Sequence, residues 1–507
     1  MRKSSKFVSM LLCLLMSFFI VGCGGNSGTN SNIIGGNESY DGEKTQIEIW
    51  LWESGVGKEY MEKIAGAFVK KNPQYYITIE ATADSSFMDN KLPLNAELNT
   101  ADILMSIKPS HSAIKAYAVP LNDLLKSKVD GETKTILEKI GKGNADIIRY
   151  SDEKYYYLPY NHGLGGLCYN ADIMADYYIP KTTDQLIELV DELVADKKVP
   201  FMHFIDGGYW DYLYQVWAAQ YAGVEKYHDV YENPTLEKVT ADDNGFYEAL
   251  KVLEQCLNSG KKYYNGSNAQ SHTDAQTLFL EGYSVMMASG SWMEYEMSGN
   301  YKPGEKNFRM MRTPVISSVV DRCTTIADDE ELSCLIDAID NGETALEGTG
   351  YNVNQTDFDT VKEARMLFYD NAIGHAALIP NYSDNITGAK AFLKFMYSDE
   401  AIKIYEDTLK IPHVANYDKK DVIDTSNWNV WQKEQYNYGK TSTPYCESTN
   451  AISELYTTGG LTINGKISVV AKLSTTNDAD RLTATQLWNS IKGYNRDNWD
   501  TYVANVG

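Results

Sequence analysis

The side chains in this 507-residue chain that could do chemistry are aromatic and carboxylic rather than nucleophilic. The sequence has no Gly-x-x-x-x-Gly-Lys phosphate loop, no Gly-x-Ser-x-Gly elbow and no His-Glu-x-x-His pair, and its seven histidines are scattered. Asp242-Asp243-Asn244-Gly245 resembles the start of a calcium loop but lacks the spaced ligands and terminal Glu, so it reads as a capped turn. Neither a metal nor a cofactor is expected. Glycoside hydrolysis needs only two carboxylates placed by the fold, so a secreted polysaccharide-acting enzyme stays open as an alternative. What the chain does offer is 37 Tyr and 9 Trp. A pyranose ring has an apolar face of C–H groups and a rim of hydroxyls. It is therefore held by flat aromatic walls with Asp, Glu, Asn or Lys at their edges.

Candidates for such a site fall at the ends of expected strands. Trp52 and Glu53 end the first strand, Ser106 and Lys108 follow a buried run from Ala101 to Ile107, and Gly374 and His375 precede a strand over 376–380. Tyr209, Trp210 and Asp211 open a helix after Asp206-Gly207-Gly208, with one of the two aromatics expected at the ligand and the other in the core. Trp292 opens a helix directly after a strand over 283–287, the place where open α/β sheets bind ligands. Trp428 and Trp431 are assigned to core packing.

The elements that must position these residues follow from periodicity. Residues 46–52 alternate polar and apolar as a strand. Tyr60, Met61, Ile64, Ala65 and Phe68 then recur at helical spacing until Asn72-Pro73, and 75–80 alternates again. Strand, helix and strand with short joints make a βαβ unit and imply a parallel sheet with covered faces. Further strands are expected at 154–160, 164–169, 200–204 and 308–316, the last broken by Pro314. Helices are expected at 210–221, 274–281, 385–397, 400–409 and 482–494. Capping boxes are expected at Thr182/Gln185 and Ser291/Glu294. Residues 317–370 are acidic and weakly periodic, which suggests a peripheral insertion.

Composition bounds the partners. A formal charge of −23 excludes a nucleic-acid binder, which needs clustered Lys and Arg. Arg2, Lys3 and Lys6 precede an apolar run from Phe7 to Val21, and Gly22-Cys23 then opens a Gly/Ser/Asn-rich stretch. That order is an export signal, too short to cross a bilayer as a permanent helix. Residues 1–22 are expected to be removed, leaving Cys23 as a lipidated N-terminus and 23–44 as a flexible tether. Of the remaining cysteines, Cys168, Cys256, Cys323, Cys334 and Cys446 are expected as free thiols, with a Cys323–Cys334 bridge as the alternative.

The ordered segments Ile47–Trp50, Tyr156–Tyr160, Leu167–Asn170, Phe279–Met287 with Gly290-Ser291-Trp292, and Asn385–Met396 resemble the extracellular solute-binding proteins of ABC importers, in the carbohydrate-uptake group similar to maltose-binding protein. The signal around Cys23 resembles that of bacterial lipoproteins. The resemblance implies an α/β, two-lobed periplasmic-binding-protein-like fold (type II) with the ligand cleft between lobes. It places lobe I at 45–160 and 313–415, lobe II at 161–312, and a helical tail at 416–507 on lobe II. Crossovers are expected near Tyr160–Gly165, near Arg312–Pro314 and around 410–420, which puts Tyr160, Asn161 and His162 at the cleft. Implied partners are a carbohydrate and membrane permease subunits, for a monomer anchored on the outer face of the cell membrane, with a Gram-positive-type envelope favoured. A sensor lipoprotein serving a membrane kinase would share every one of these features. The acidic residue that some sugar binders carry just before the Tyr-Asn pair is absent, because Gly163–Gly166 occupies that stretch.

Overall fold

The computed structural model describes residues 32–36 and 42–506, apart from 96, 205–208, 259–267, 270, 344–352, 371–373, 420–422, 442, 446–461, 464–466 and 476. The signal, Cys23 and Cys446 lie outside the described residues.

The strands in chain order are β1 (Asn32–Ile34), β2 (Thr45–Trp52), β3 (Tyr75–Thr82), β4 (Ile103–Ile107), β5 (Leu158–Pro159), β6 (Leu164–Asn170), β7 (Phe201–Phe204), β8 (Asn268–Ala269), β9 (Met286–Gly290), β10 (Phe308–Met311), β11 (Leu367–Asp370), β12 (His375–Leu378) and β13 (Thr443–Tyr445). They form two separate sheets, each the centre of one lobe. The first runs β1-β3-β2-β4-β12-β5 and the second β13-β11-β6-β9-β7-β8, with β10 also paired to β6. In lobe I, β2, β3 and β4 are parallel, as the βαβ pattern requires. Alternate residues Ile47, Ile49 and Leu51 of β2 are fully buried. The helix Glu59–Lys71 covers them with Tyr60, Met61, Ile64, Ala65 and Phe68. The edge strand β1 and the inner strand β12 run antiparallel to their neighbours, so the sheet is mixed. The segment 32–34, assigned by sequence to the tether, is thus an added edge strand.

The chain crosses between lobes in strand pairs. β5 leads into β6 and β11 into β12; β5 pairs antiparallel with β12 in lobe I, and β6 pairs antiparallel with β11 in lobe II. The chain therefore crosses between the lobes after Pro159 and again after Asp370, with the strands that flank the two crossings paired in each lobe. The second crossing expected at Arg312–Pro314 is not there. Pro314 stays in lobe II, where its carbonyl accepts Trp217 Nε1–H at 3.1 Å, and Val315 and Ile316 are buried in the lobe II core. The described residues of 317–370 likewise belong to lobe II rather than forming a peripheral insertion on lobe I. Leu332, Leu335, Ile336 and Ile339 of the helix Asp329–Asp340 and Phe358 and Val361 of the helix Gln355–Met366 complete that core. The third crossing falls between Lys419 and Val430. Asp418 N–H still donates to Asp399 of lobe I, whereas Trp431 packs on Phe308 of lobe II. Val469, Leu473, Leu487 and Trp488 of the tail also lie in the lobe II core. Cys168, Cys256, Cys323 and Cys334 are free thiols, so the alternative bridge does not form.

Buried polar groups line the hinge. His162 Nδ1 donates to the Pro412 carbonyl at 2.7 Å, and its Nε2 lies 3.0 Å from Asp370 Oδ2. Burial alone would lower the pKa of His162, but the Asp370 carboxylate outweighs it and holds the value above that of a free imidazole. His413 is the opposite case. Burial, with His162, Lys440 and Lys139 nearby, presses it down to about 3, and its Nδ1 accepts Ala415 N–H at 3.0 Å, which requires an unprotonated nitrogen. A buried histidine held neutral adds stability that is complete above its unfolded pKa near 6.5 and is lost as pH falls below it, because the unfolded chain then binds the extra proton. By pH 5 that loss from His413 reaches about 2 kcal/mol. Thermal melts from pH 7.5 to 5 should therefore show a falling midpoint, with a shallower fall for His413→Gln; equal slopes would mean that His413 is not held neutral.

Candidate functional site

A cavity of about 650 Å³ opens between the lobes. Lobe I contributes Trp52, Glu53, Gly55, Val56, Ala83, Ser85, Ile107 and His375. Lobe II contributes Tyr209, Tyr212, His272, Trp292 and Glu296, while Asn161, His162 and Gly163 of the first crossing form its back.

The lobe II wall is an aromatic shelf made possible by glycines. Strand pairing puts Gly165 of β6 directly opposite Gly290 of β9 on one side and Tyr369 of β11 on the other. A Cβ at Gly290 would overlap the indole of Trp292, and one at Gly165 would overlap the ring of Tyr212. Both rings therefore pack closely against bare backbone. Tyr212 is also stacked on Tyr369, with centroids 4.1 Å apart, and meets Trp292 edge-on at 6.0 Å. Tyr209 completes the cluster, 5.5 Å from Tyr212 and 5.4 Å from Trp292.

The helix Trp210–Ala222 sets which of its aromatics reach the cleft. Tyr209 precedes it in the left-handed region (φ 71°), a conformation that a bulky side chain adopts at a cost of about 1–3 kcal/mol. Tyr209 and Tyr212, three residues apart, share a face. Trp210 points elsewhere: it is fully buried and packs edge-on against Phe201. Asp211, also off that face, does not line the cavity. Of the expected pair, Tyr209 lines the cavity and Trp210 does not; Tyr212, which the spacing of three could have indicated, was not among the residues expected from sequence.

Across the cleft, Trp52 faces His375 with centroids 5.6 Å apart, and its Nε1 donates to the Ala83 carbonyl at 3.3 Å. Burial lowers the pKa of His375 to about 4, so the ring is neutral at physiological pH. Asn161 lines the cavity while its Oδ1 accepts the Tyr405 hydroxyl at 2.8 Å. Three expected residues are displaced from the site. Tyr160 is buried in the lobe I core, edge-on to His375. Ser106 is fully buried, its hydroxyl donating to the Ser85 carbonyl at 3.1 Å beneath the floor. Lys108 lies past the end of β4, outside the lining. β4 alternates, so Ile107 rather than its neighbours Ser106 and Lys108 reaches the cavity.

Glu296 is a second residue that sequence reasoning missed, although it sits four positions after Trp292 in the same helical turn, its N–H bonded to the Trp292 carbonyl. It accepts Gln276 Nε2–H at 2.7 Å and lies 3.2 Å from His272 Nε2. That hydrogen bond raises the pKa of His272, even though burial opposes it. No sequence signal marks His272. The capping box expected at Ser291 does not form: Ser291 Oγ accepts Leu164 N–H at 3.1 Å, and Glu294 holds Asn429 and Gln432 of the tail. Ser291 thus ties the start of the Trp292 turn to β6. At Thr182 the cap does form, with Oγ1 accepting Gln185 N–H at 3.3 Å. Among the described residues no cluster of His, Cys, Asp and Glu could hold a metal ion.

Two lobes, paired crossing strands and an aromatic cleft between them define a two-lobed binding protein. The chain belongs to the bacterial extracellular solute-binding proteins, whose family model matches residues 53–403. The family and the similar solved structures are binding proteins rather than enzymes. Similar solved structures include one from work on xylan utilisation by Caldanaerobius polysaccharolyticus, 15% identical with a TM-score of 0.60, covering 89% of this chain and 99% of that one. Another is the Listeria monocytogenes substrate-binding protein Lmo0181 in complex with cycloalternan, 16% identical with a TM-score of 0.54, covering 90% and 99%. A third, a family 1 solute-binding protein of Bifidobacterium longum subsp. infantis, is 14% identical with a TM-score of 0.55 and covers 91% and 100%. No curated protein matches the sequence.

Proposed function

We propose that this protein is the substrate-binding component of an ABC importer: it captures a mono- or oligosaccharide between its lobes and delivers it to a membrane permease. The observation that carries this reading is the cleft wall of Tyr209, Tyr212 and Trp292, facing Trp52 across a cavity with Glu53, Asn161, His272 and Glu296 at its edges. Flat rings suit the C–H faces of a pyranose, and carboxylates and amides suit its hydroxyls. Relatives in the fold support the same class, since the solved structures include complexes with raffinose and cycloalternan. A ligand touching both lobes stabilises the closed form, because only that form makes all of its contacts. The permease then reads the closed surface. Energy comes from nucleotide hydrolysed by a separate subunit, so this chain needs no catalytic group of its own.

Trp292 is the residue on which ligand stacking chiefly depends in this reading. Thermal-shift screening against a carbohydrate library identifies the ligand through its stabilisation of the folded form, and calorimetry then measures variants. Trp292→Ala should weaken binding by at least about tenfold, because loss of a desolvated aromatic anchor costs about 2 kcal/mol or more. Trp210→Ala, a core truncation, should lower stability by about 3–5 kcal/mol with little effect on the affinity of the folded fraction. The reverse pattern would move the site away from the shelf.

We place the protein on the outer face of the cell membrane as a monomer held by lipid on Cys23; no helix among the described residues is long and apolar enough to cross a membrane. One acyl chain anchors only marginally, so stable attachment requires two or more on Cys23. Cell fractionation of Cys23→Ser should find the protein released. Retention at the membrane would refute the anchor.

A further inference from the structure

Among the described residues, the cleft carries carboxylates but no free positive charge. Among its lining residues Glu53 and Glu296 are acidic and none is Lys or Arg. The three lining histidines do not supply the missing cation. His375 is buried and neutral. His162 faces Asp370 at 3.0 Å, and His272 faces Glu296 at 3.2 Å, so each imidazole is already matched to a carboxylate. Glu53 differs from Glu296 in this respect. Its backbone N–H donates to the Thr82 carbonyl at 2.9 Å, but among the described residues its carboxylate has no hydrogen bond or ion pair. It follows Trp52, the last residue of β2, on the wall opposite the aromatic shelf.

We propose that the cleft takes uncharged and amine-bearing sugars and rejects acidic ones such as uronates and sugar phosphates, and that Glu53 is the residue that makes the distinction. The inference rests on the carbohydrate reading above and sharpens it. Neutral hydroxyls satisfy an unpaired carboxylate by donating to it, and a hydrogen bond to a charged acceptor is about twice as strong as one between neutral groups. An ammonium does so with a full charge. A second carboxylate or a phosphate meets a like charge in a space where closure removes water, and a buried charge without a partner is costly. A site built for acidic sugars would instead present arginine or lysine, whose N–H groups match those anions. Among the described residues the lining offers none. The long-range field acts in the same direction, since the whole chain is strongly acidic.

The test uses the full exported chain and three matched probes: a neutral saccharide that binds in the library screen, the same saccharide with a terminal hydroxymethyl oxidised to carboxylate, and the same saccharide with a 2-amino group. Calorimetry at pH 7 should show the acidic probe binding at least about tenfold more weakly than the neutral one, and the amine binding at least as well as the neutral one. Glu53→Gln keeps the shape of the side chain and removes its charge, so it should narrow the neutral-to-acid ratio by about tenfold. Equal binding of the neutral and acidic probes would overturn the proposal while leaving the carbohydrate reading intact. An unchanged ratio in Glu53→Gln would overturn the assignment to Glu53. If no saccharide in the library binds, the carbohydrate reading itself falls, and this inference with it.

Discussion

The register between β6 and β9 is the constraint on which the site depends. It sets Gly165 opposite Gly290 at the end of the lobe II sheet, with Tyr369 as the next neighbour across. Because neither glycine has a side chain, the indole of Trp292 and the ring of Tyr212 can lie on the backbone instead of standing away from it. A shift of one residue would present Gly166 or Ser289 at this place and turn the facing pair to the other side of the sheet. The shelf is held from below as well. Ser291 takes its hydrogen bond from Leu164, fixing where the Trp292 turn leaves the strand. Aromatic recognition at the cleft is therefore a consequence of strand pairing, not of the aromatic residues alone.

The same strands carry the hinge. β5 leads into β6 and β11 into β12, and the strands that flank these two crossings are paired with each other in each lobe. Across the mouth the lobes already meet: Gly55 of lobe I leaves room for Trp292, and Gly57, with φ at 65°, for Tyr295. Trp292 thus belongs to lobe II by sequence and touches the core of lobe I by packing.

Much of this was legible in the sequence where a short pattern determines local structure. The βαβ opening, the Thr182 cap and the position of Trp292 after Gly290-Ser291 all follow from spacing and chain order. The phase of the helix after Tyr209 was not legible in the same way, because the left-handed Tyr209 sets that phase and a tyrosine gives no sign of a positive φ. Ser106 and Lys108 were misplaced because β4 is buried on both faces up to its last residue, leaving no alternation to read. The hinge at 312–314 was misread because Pro314 seemed to break a strand at a domain boundary. Its carbonyl is in fact tied to Trp217, a contact distant in sequence. Residues 317–370 read as peripheral in sequence because Asp328 to Glu331 mask the apolar stripe Leu332, Leu335, Ile336 and Ile339 that follows. In each case tertiary packing decided what the local pattern left open.

The central claim is that ligand binds between the lobes and holds them together. Small-angle X-ray scattering of the exported chain, free and saturated with a saccharide that binds it by calorimetry, tests this most directly. A smaller radius of gyration in the bound protein, and no change for Trp292→Ala at the same saccharide concentration, is the expected result. An unchanged profile for the wild-type protein with binding confirmed would contradict the account, since the ligand would then occupy a rigid cleft or a site on one lobe alone.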